Sequence, residues 1–189
     1  VFWPVAMDTK YKDVEAMEDG SILLTLFNGS MRNDENEKIA HLMRRKSKIL
    51  VAFGSCATEG CIPGLANLSP LSEIFDVAYH TVSTDNPNNI HPQTVTKVPE
   101  GELYLPIMNP VIKTLAQVVD VDYFMPGCPP ESHQIGAVID LVIQVLQGKA
   151  QLPPKGSVIG AGNSTVCDEC PRTRNIKLIK AFKRIQEVA

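Results

Sequence analysis

The sequence has little of several features that mark whole classes of protein. No apolar stretch reaches the roughly 20 residues that a membrane-spanning helix needs, and the longest candidate, residues 135–146, is broken by Asp140 and Gln144. Basic side chains number 18 against 21 acidic ones, which argues against a strongly basic nucleic-acid binder. The odd total of five cysteines is unlike a disulfide scaffold. With 44% apolar and 21% charged residues, the 189-residue chain is predicted to be globular.

Familiar motifs of catalysis and nucleotide binding are missing as well. The sequence contains no G-x-G-x-x-G and no lysine-bearing phosphate loop. It shows no Ser/His/Asp set and no paired-carboxylate motif, so we predict no catalytic residue in this chain. A flavin-binding domain would need a hydroxyl-rich phosphate loop after the first strand, and none is visible. The cysteines are therefore the main candidates for chemistry in this chain.

Short apolar runs alternate with amphipathic segments along most of the chain. The apolar runs predict strands at residues 1–7, 21–27, 48–53 and 117–124. Apolar residues at helical spacing predict helices at residues 33–45, 71–79, 112–115 and 131–147, with a basic amphipathic helix at 175–187. This alternation indicates an α/β, flavodoxin-like domain over residues 1–150, with a mainly parallel sheet and helices on both faces. Residues 151–189 are predicted to be an irregular C-terminal segment.

Residues 80–109 differ in composition from their surroundings. They contain a run of Asp, Asn and Pro and several further prolines, with one short strand predicted at 102–105. Long loops are often functional or interfacial. We therefore predict that residues 80–109 form an excursion that contacts a partner.

Two cysteines directly follow predicted strands. Cys56 ends the run that begins at residue 48, and Cys128 ends the last predicted strand. Ligands in open α/β sheets gather outside the carboxyl ends of the strands, so both cysteines are expected at one sheet edge. Gly and Pro surround each of them, and Ser55 and Thr58 are candidate hydrogen-bond donors to sulfur. Buried structural cysteines are the alternative, but two such loops at one edge favour a metal site.

A third element, Cys167-Asp168-Glu169-Cys170-Pro171, has two cysteines three positions apart. Zinc, a redox disulfide or half of an iron–sulfur cluster would each fit this spacing. A zinc ribbon would need a second Cys-x-x-Cys, and the sequence has none. The proline after the second cysteine is familiar from cluster-binding sequences.

Together these segments resemble the small, electron-transferring subunit of [NiFe]-hydrogenases. The resemblance rests on residues 54–60 (Gly-Ser-Cys-Ala-Thr-Glu-Gly), 126–130 (Pro-Gly-Cys-Pro-Pro) and 166–172 (Val-Cys-Asp-Glu-Cys-Pro-Arg). Residues 2–8 and 26–29 look most like the methyl-viologen-reducing, F420-non-reducing branch. The resemblance implies that Cys56 and Cys128 hold part of a proximal [4Fe–4S] cluster. It also implies that Cys167 and Cys170 hold part of a second [4Fe–4S] cluster.

The resemblance further implies the partners and the cellular setting. These are a large nickel–iron subunit, a [2Fe–2S] adaptor and heterodisulfide reductase, in a cytoplasmic complex of methanogenesis with no nucleic acid and no membrane span. Each cluster usually needs four thiolates. The family takes the remaining proximal ligands from an upstream Cys-x-x-Cys and further ligands from downstream cysteines, and both are expected outside these 189 residues.

Cys61 stands where the family generally has glycine, either as a small packing residue or as a substitute ligand. Two alternatives to the hydrogenase prediction remain. One is the related small iron–sulfur subunit of complex I. The other is a non-redox α/β binding module with a structural zinc at Cys167 and Cys170.

Overall fold

A computed structural model describes residues 9–162 and 164–173 of the chain. None of the helices in this part is both long and apolar enough to cross a membrane. Two short 3₁₀ turns, Leu65–Leu68 and Leu115–Gln117, interrupt the regular elements. The helices and strands follow one another in the order α1 (Tyr11–Ala16), β1 (Ile22–Asn28), β2 (Met31–Asn33), α2 (Asp34–Lys46), β3 (Ser47–Phe53), α3 (Ser55–Glu59), α4 (Cys61–Gly64), α5 (Leu71–His80), β4 (Val95–Val98), β5 (Gly101–Tyr104), β6 (Met108–Lys113), β7 (Tyr123–Met125), α6 (Ser132–Leu146) and α7 (Val166–Glu169).

Strands β1, β3 and β7 form a parallel sheet with β3 in the middle. In the register of the sheet, Phe53 lies opposite Asn28 on one side and opposite Met125 on the other. The three carboxyl ends therefore meet at one edge. Two strands of this sheet, β1 and β3, match the runs predicted at 21–27 and 48–53. The α/β class with a parallel sheet is thus confirmed.

Helices cover both faces of this sheet, as predicted. Successive residues of β3 point to opposite sides, so the strand contributes to a separate core on each face. On one side, Leu50 and Ala52 belong to a core that also takes in Ala40 of α2 and Ala57 of α3. On the other side, Val51 packs into a second core with Met125 of β7 and Val138 of α6. That second core also contains Tyr123, with Leu24, Ile49, Phe53, Ile135 and Ile159 packed against it.

The helix predicted at 33–45 is observed as α2 and has a complete N-terminal cap. The Asn33 side chain accepts a 2.9 Å hydrogen bond from the Asn36 amide, and the Asn36 side chain accepts one in return from the Asn33 amide. Acidic residues lie in its first turn and basic residues in its last, which suits the helix dipole. Its apolar side also packs against Val14 of α1, a helix that was not predicted.

The helix predicted at 131–147 is observed as α6, with Glu131 at its N-cap and Gly148 just after its end. Gly148 adopts a left-handed backbone with φ of +70°, and its amide donates a 3.0 Å hydrogen bond to the Val145 carbonyl. A glycine suits this position because it enters the left-handed region without a Cβ penalty. The helix predicted at 71–79 is likewise observed, as α5.

Two predictions near the middle of the chain were wrong. Residues 112–115 were predicted as a helix, but Ile112 and Lys113 end strand β6, which pairs antiparallel with β2, and Leu115 begins a 3₁₀ turn. Of the strand predicted at 117–124, only β7 at its end is extended. The preceding valines instead cover one face of β3: Val119 is part of that core, and Val118 and Val121 pack against it.

The excursion at 80–109 has more regular structure than predicted. Strands β4 and β5 form an antiparallel hairpin, of which only β5 was anticipated. Ahead of it, His80 Nε2 and His91 Nε2 lie 2.9 Å apart, and the His91 ring contacts Tyr79. This contact fastens the start of the excursion to the end of α5. The strand predicted at 1–7 and the helix predicted at 175–187 lie outside the described residues.

Candidate functional site

The site is built where β3 and β7 end side by side. Backbone hydrogen bonds join the loops beyond the two strands: the Gly54 amide donates to the Met125 carbonyl at 2.7 Å, and the Ser55 amide donates to the Gly127 carbonyl at 2.8 Å. The Gly127 amide donates back to Ser55 Oγ at 3.1 Å. Segments 72 residues apart in sequence are thereby held together as one double loop.

Both glycines of this double loop are required by the backbone. Gly54 has a φ of +85°, and a Cβ there would lie 3.2 Å from the side-chain nitrogen Nδ2 of Asn28 and 3.5 Å from the Gly127 carbonyl oxygen. Gly127 has a φ of +140°, and a Cβ there would lie only 2.6 Å from Pro130 Cα. Side chains are therefore excluded from the gap between the loops.

The predicted ligands Cys56 and Cys128 lie together in this double loop. Cys56 is the second residue of α3 and is half-buried, whereas Cys128 is exposed in the loop after β7. Burial raises the pKa of the Cys56 thiol, and the neighbouring thiols of Cys61 and Cys128 raise it further. A third cysteine, Cys61, thus lies near enough to Cys56 to affect the pKa of its thiol.

The Ser55 and Thr58 hydroxyls, which were predicted to donate hydrogen bonds to sulfur, are hydrogen-bonded to the backbone of the double loop in the structure. Thr58 Oγ1 donates to the Gly54 carbonyl at 2.9 Å, and Ser55 Oγ accepts the hydrogen bond from the Gly127 amide. Their contribution in this structure is therefore to fix the backbone around Cys56.

Cys167 and Cys170 lie at a different short element. Cys167 is within α7, Cys170 follows its last residue, and both are exposed. The turn is closed by the Asp168 carboxylate, which accepts hydrogen bonds from the Thr165 amide at 2.7 Å and the Thr165 hydroxyl at 2.9 Å. These two bonds, the backbone one foremost, lower the pKa of Asp168. The element presents both thiols on one exposed turn.

Across residues 9–162 and 164–173, no three or more His, Cys, Asp or Glu side chains are grouped to hold a metal ion. A four-iron cluster differs from a single ion because each thiolate binds its own iron atom. The soft sulfur donors at the sheet edge match the ligand type that such clusters use. The donor set around Cys56 therefore fits an iron–sulfur cluster.

A protein-family profile described as NADH ubiquinone oxidoreductase, 20 Kd subunit, matches residues 2–142. The chain belongs to this family. Among curated relatives, it is 46% identical over 99% of its length to an F420-non-reducing hydrogenase iron-sulfur subunit of Archaeoglobus profundus. It is 35% identical, again over 99% of its length, to a subunit of the F420-non-reducing hydrogenase vhu of Methanocaldococcus jannaschii. The predicted resemblance to the F420-non-reducing hydrogenase branch is confirmed.

Solved structures similar to this chain include one chain of an NAD+-reducing [NiFe]-hydrogenase crystallised in the H2-reduced state. It superposes with a TM-score of 0.57 and 27% sequence identity, over 72% of this chain and 71% of that one. The chain spans 59% of the Archaeoglobus relative and 56% of the Methanocaldococcus relative. The relatives are hydrogenase subunits, so the family places this chain among subunits of an oxidoreductase.

Proposed function

We propose that the chain is the electron-transfer part of a [NiFe]-hydrogenase small subunit. Cys56 and Cys128 hold part of a proximal [4Fe–4S] cluster, and electrons from H2 oxidation in a large nickel–iron subunit enter there. The observation that carries this proposal is that Cys56 and Cys128 lie in one double loop, joined by backbone hydrogen bonds, at the carboxyl edge of a parallel sheet. The hydrogenase relatives support it.

The cluster, when bound, accepts and releases one electron at a time, and the chain supplies its position and surroundings. The cross-loop hydrogen bonds between Ser55 and Gly127 fix the separation of the two cysteines. Pro126, Pro129 and Pro130 flank Cys128 and bring apolar surface without backbone N–H donors. The loop therefore offers few backbone N–H donors to the sulfurs, which favours the less negatively charged state of a cluster and so tunes its reduction potential.

The onward route leads to the second pair of cysteines. Cys167 and Cys170 hold part of a second [4Fe–4S] cluster, from which electrons pass to a [2Fe–2S] adaptor and to heterodisulfide reductase in a cytoplasmic complex. Both thiols are exposed on one turn, which leaves them open to the further ligands that a four-iron cluster needs. The name of the Archaeoglobus relative, an iron-sulfur subunit, supports a cluster in this chain.

The excursion at 80–109 is proposed as a contact surface for the large subunit. Several large apolar side chains there face outward, including Val82, Leu103, Tyr104 and Ile107. Exposed apolar groups on one segment mark interaction sites more often than scattered ones do. The hairpin of β4 and β5 gives this surface a defined backbone.

The test is to purify the hydrogenase complex and measure iron, acid-labile sulfide and the electron paramagnetic resonance (EPR) spectrum after reduction. We expect Cys128→Ala to lose the iron, sulfide and EPR signal of one cluster, together with H2-dependent reduction. Ser132→Ala is the matched control, because it removes a small polar atom from an exposed position close by. It is expected to keep the wild-type spectrum.

Two outcomes would count against the proposal. Zinc in place of iron, or iron without labile sulfide, would exclude an iron–sulfur cluster and favour the structural-zinc alternative at Cys167 and Cys170. Full cluster content and normal H2-dependent reduction in Cys128→Ala would contradict the role of Cys128 as a ligand.

A further inference from the structure

The carboxyl end of β1 lies beside the double loop, and Asn28 is the last residue of this strand. We infer that Asn28 is a positioning residue for the proposed cluster, because its side-chain amide sets the orientation of the backbone that presents Cys56. This inference rests on the proposed function, since it concerns the same cluster site. It gives β1 a part in that site, although no cysteine lies near the end of this strand in the sequence.

The peptide unit between Phe53 and Gly54 is held by both neighbouring strands. Its carbonyl, that of Phe53, accepts a 3.2 Å hydrogen bond from Nδ2 of Asn28. Its N–H, that of Gly54, donates a 2.7 Å hydrogen bond to the Met125 carbonyl of β7. A peptide unit is planar, so its C=O and its N–H turn together. Rotation of this unit would therefore disturb the bond to Asn28 and the bond to Met125 at once.

The Asn28 amide also lies against Gly54 itself. A Cβ on Gly54 would be 3.2 Å from Asn28 Nδ2, so the amide lies next to the space that a side chain at this position would need. Gly54 has a left-handed φ of +85°, which residues with a side chain rarely adopt. The amide thus contacts the residue at which the chain turns from β3 into α3.

The turn at Gly54 decides where Cys56 is placed. Gly54 is the N-cap of α3, and Cys56 is the second residue of that helix. The Gly54 carbonyl accepts hydrogen bonds from the Ala57 amide at 3.1 Å and from Thr58 Oγ1 at 2.9 Å. A change in the peptide unit before Gly54 is therefore passed on to the first turn of α3, which carries Cys56. The potential of an iron–sulfur cluster depends on the hydrogen bonds and the solvent around its sulfurs, so it reports such a change.

The alternative is a purely structural role, in which Asn28 only strengthens the pairing of β1 with β3. Thr25 provides the comparison, because its hydroxyl bonds the Ser47 hydroxyl and so joins the same two strands. Ser47 is the first residue of β3, at the end remote from the double loop. The two side chains make similar bonds between the strands, but only the bond of Asn28 reaches the peptide that leads to Cys56.

The decisive variant is Asn28→Leu in the purified hydrogenase complex, because leucine keeps the branched shape of the side chain and removes its N–H donors. We expect the EPR g values and the midpoint potential of the Cys56 cluster to shift, with iron and sulfide lowered by no more than one cluster's content. Thr25→Val is the matched control, since it removes a hydroxyl bond between the same strands, and it is expected to keep the wild-type spectrum and potential. Cys56→Ala provides the reference for loss of the cluster.

Each outcome decides between the claims. If Asn28→Leu keeps the wild-type g values and midpoint potential while Cys56→Ala loses the cluster, Asn28 is not a positioning residue and the proposed function stands. The inference is also refuted if Thr25→Val shifts the potential as much as Asn28→Leu does. It is refuted as well if Asn28→Leu loses the circular dichroism spectrum of the folded protein, because the role is then structural. If Cys56→Ala keeps the cluster, the proposed function itself fails.

Discussion

Asp122 lies next to β7 and bonds to Leu50 of β3, so it joins the two strands that lead to Cys56 and Cys128. Its replacement by asparagine tests how much the buried charge contributes to the stability of this pair of strands. The carboxylate is almost fully buried. Its Oδ2 accepts hydrogen bonds from the Leu50 amide at 2.8 Å and from Arg44 Nη1 at 2.7 Å, and its Oδ1 lies 2.6 Å from Lys155 Nζ. The Asp122 amide in turn donates to the Leu50 carbonyl at 2.9 Å. Asp122→Asn keeps the shape of the side chain but removes its charge.

The expected loss in the free energy of unfolding depends on how exposed each partner of Asp122 is. Removing one member of a buried ion pair costs about 3–5 kcal/mol. Arg44 keeps its hydrogen bonds to the Ser47 and Lys48 carbonyls, so it is not left without partners. The side chain of Lys155 is 79% exposed, so its pair with Asp122 contributes at most about 1 kcal/mol. We therefore expect a loss of about 2–3 kcal/mol, equivalent to about 4–12 °C in Tm for a chain of this size.

The loss is expected to depend on pH. Burial of the Asp122 carboxyl pushes its pKa up, but the hydrogen bonds from Arg44 and Lys155 outweigh burial and hold the pKa below its usual value. A carboxyl with a lowered folded-state pKa stabilises the protein above the unfolded pKa, about 3.9, and this stability disappears as the pH falls through the folded-state pKa. The difference between wild type and Asp122→Asn should be complete at neutral pH and vanish in strong acid.

Thermal unfolding followed by circular dichroism across this pH range measures the difference. Asp120→Asn is the control, because it removes an exposed carboxylate two residues away and should change stability by less than about 0.5 kcal/mol. A melting temperature for Asp122→Asn within about 2 °C of wild type at neutral pH would refute the reasoning. So would a difference that persists unchanged below the folded-state pKa.

Two further predictions concern the loops. Gly127→Ala forces a Cβ to within 2.6 Å of Pro130 Cα, so we expect a loss of at least about 2 kcal/mol in chemical denaturation and a lowered cluster content. Gly136→Ala, in open space on α6, should instead gain about 0.5–1 kcal/mol, and equal effects of the two substitutions would contradict the clash. Asn67→Ala removes the side-chain amide that pairs with both the N–H and the C=O of Ile112 at 2.8 Å. It should cost about 1–3 kcal/mol, and an unchanged denaturation midpoint would show that water replaces both bonds.

The sequence allowed the main frame of the fold to be predicted because its signals are local. The periodicity of α6 and the cap at Asn33 each lie within one helix, and the apolar runs of β1 and β3 are complete in themselves. The short strand β6 was missed because it contains a proline, Pro110, and depends on a distant partner, β2. Pairing of that kind leaves no periodic trace in a six-residue segment.

The candidate site, too, was predictable only in part. Cys56 and Cys128 were predictable because each follows a strand, and parallel strands end at a common edge. The position of Cys61 was not predictable, because cysteine gives no sign that its backbone is left-handed. The contact between His80 and His91 was missed for a related reason, because the sequence of the loop between them does not indicate the course of its backbone. Both features arise from turns whose direction is set by the folded surroundings.

The cross-loop hydrogen bonds between Ser55 and Gly127 also have a consequence for assembly. The two cysteine loops are separated by more than seventy residues of chain, and the hydrogen bonds that join them lie directly beyond the paired strands β3 and β7. Contacts between such distant segments form late, because the entropy of closing a long loop is lost before they are made. We therefore expect insertion of the proposed cluster to follow folding of the sheet. A substitution that loosens β7 at its far end should lower cluster loading without touching a single sulfur.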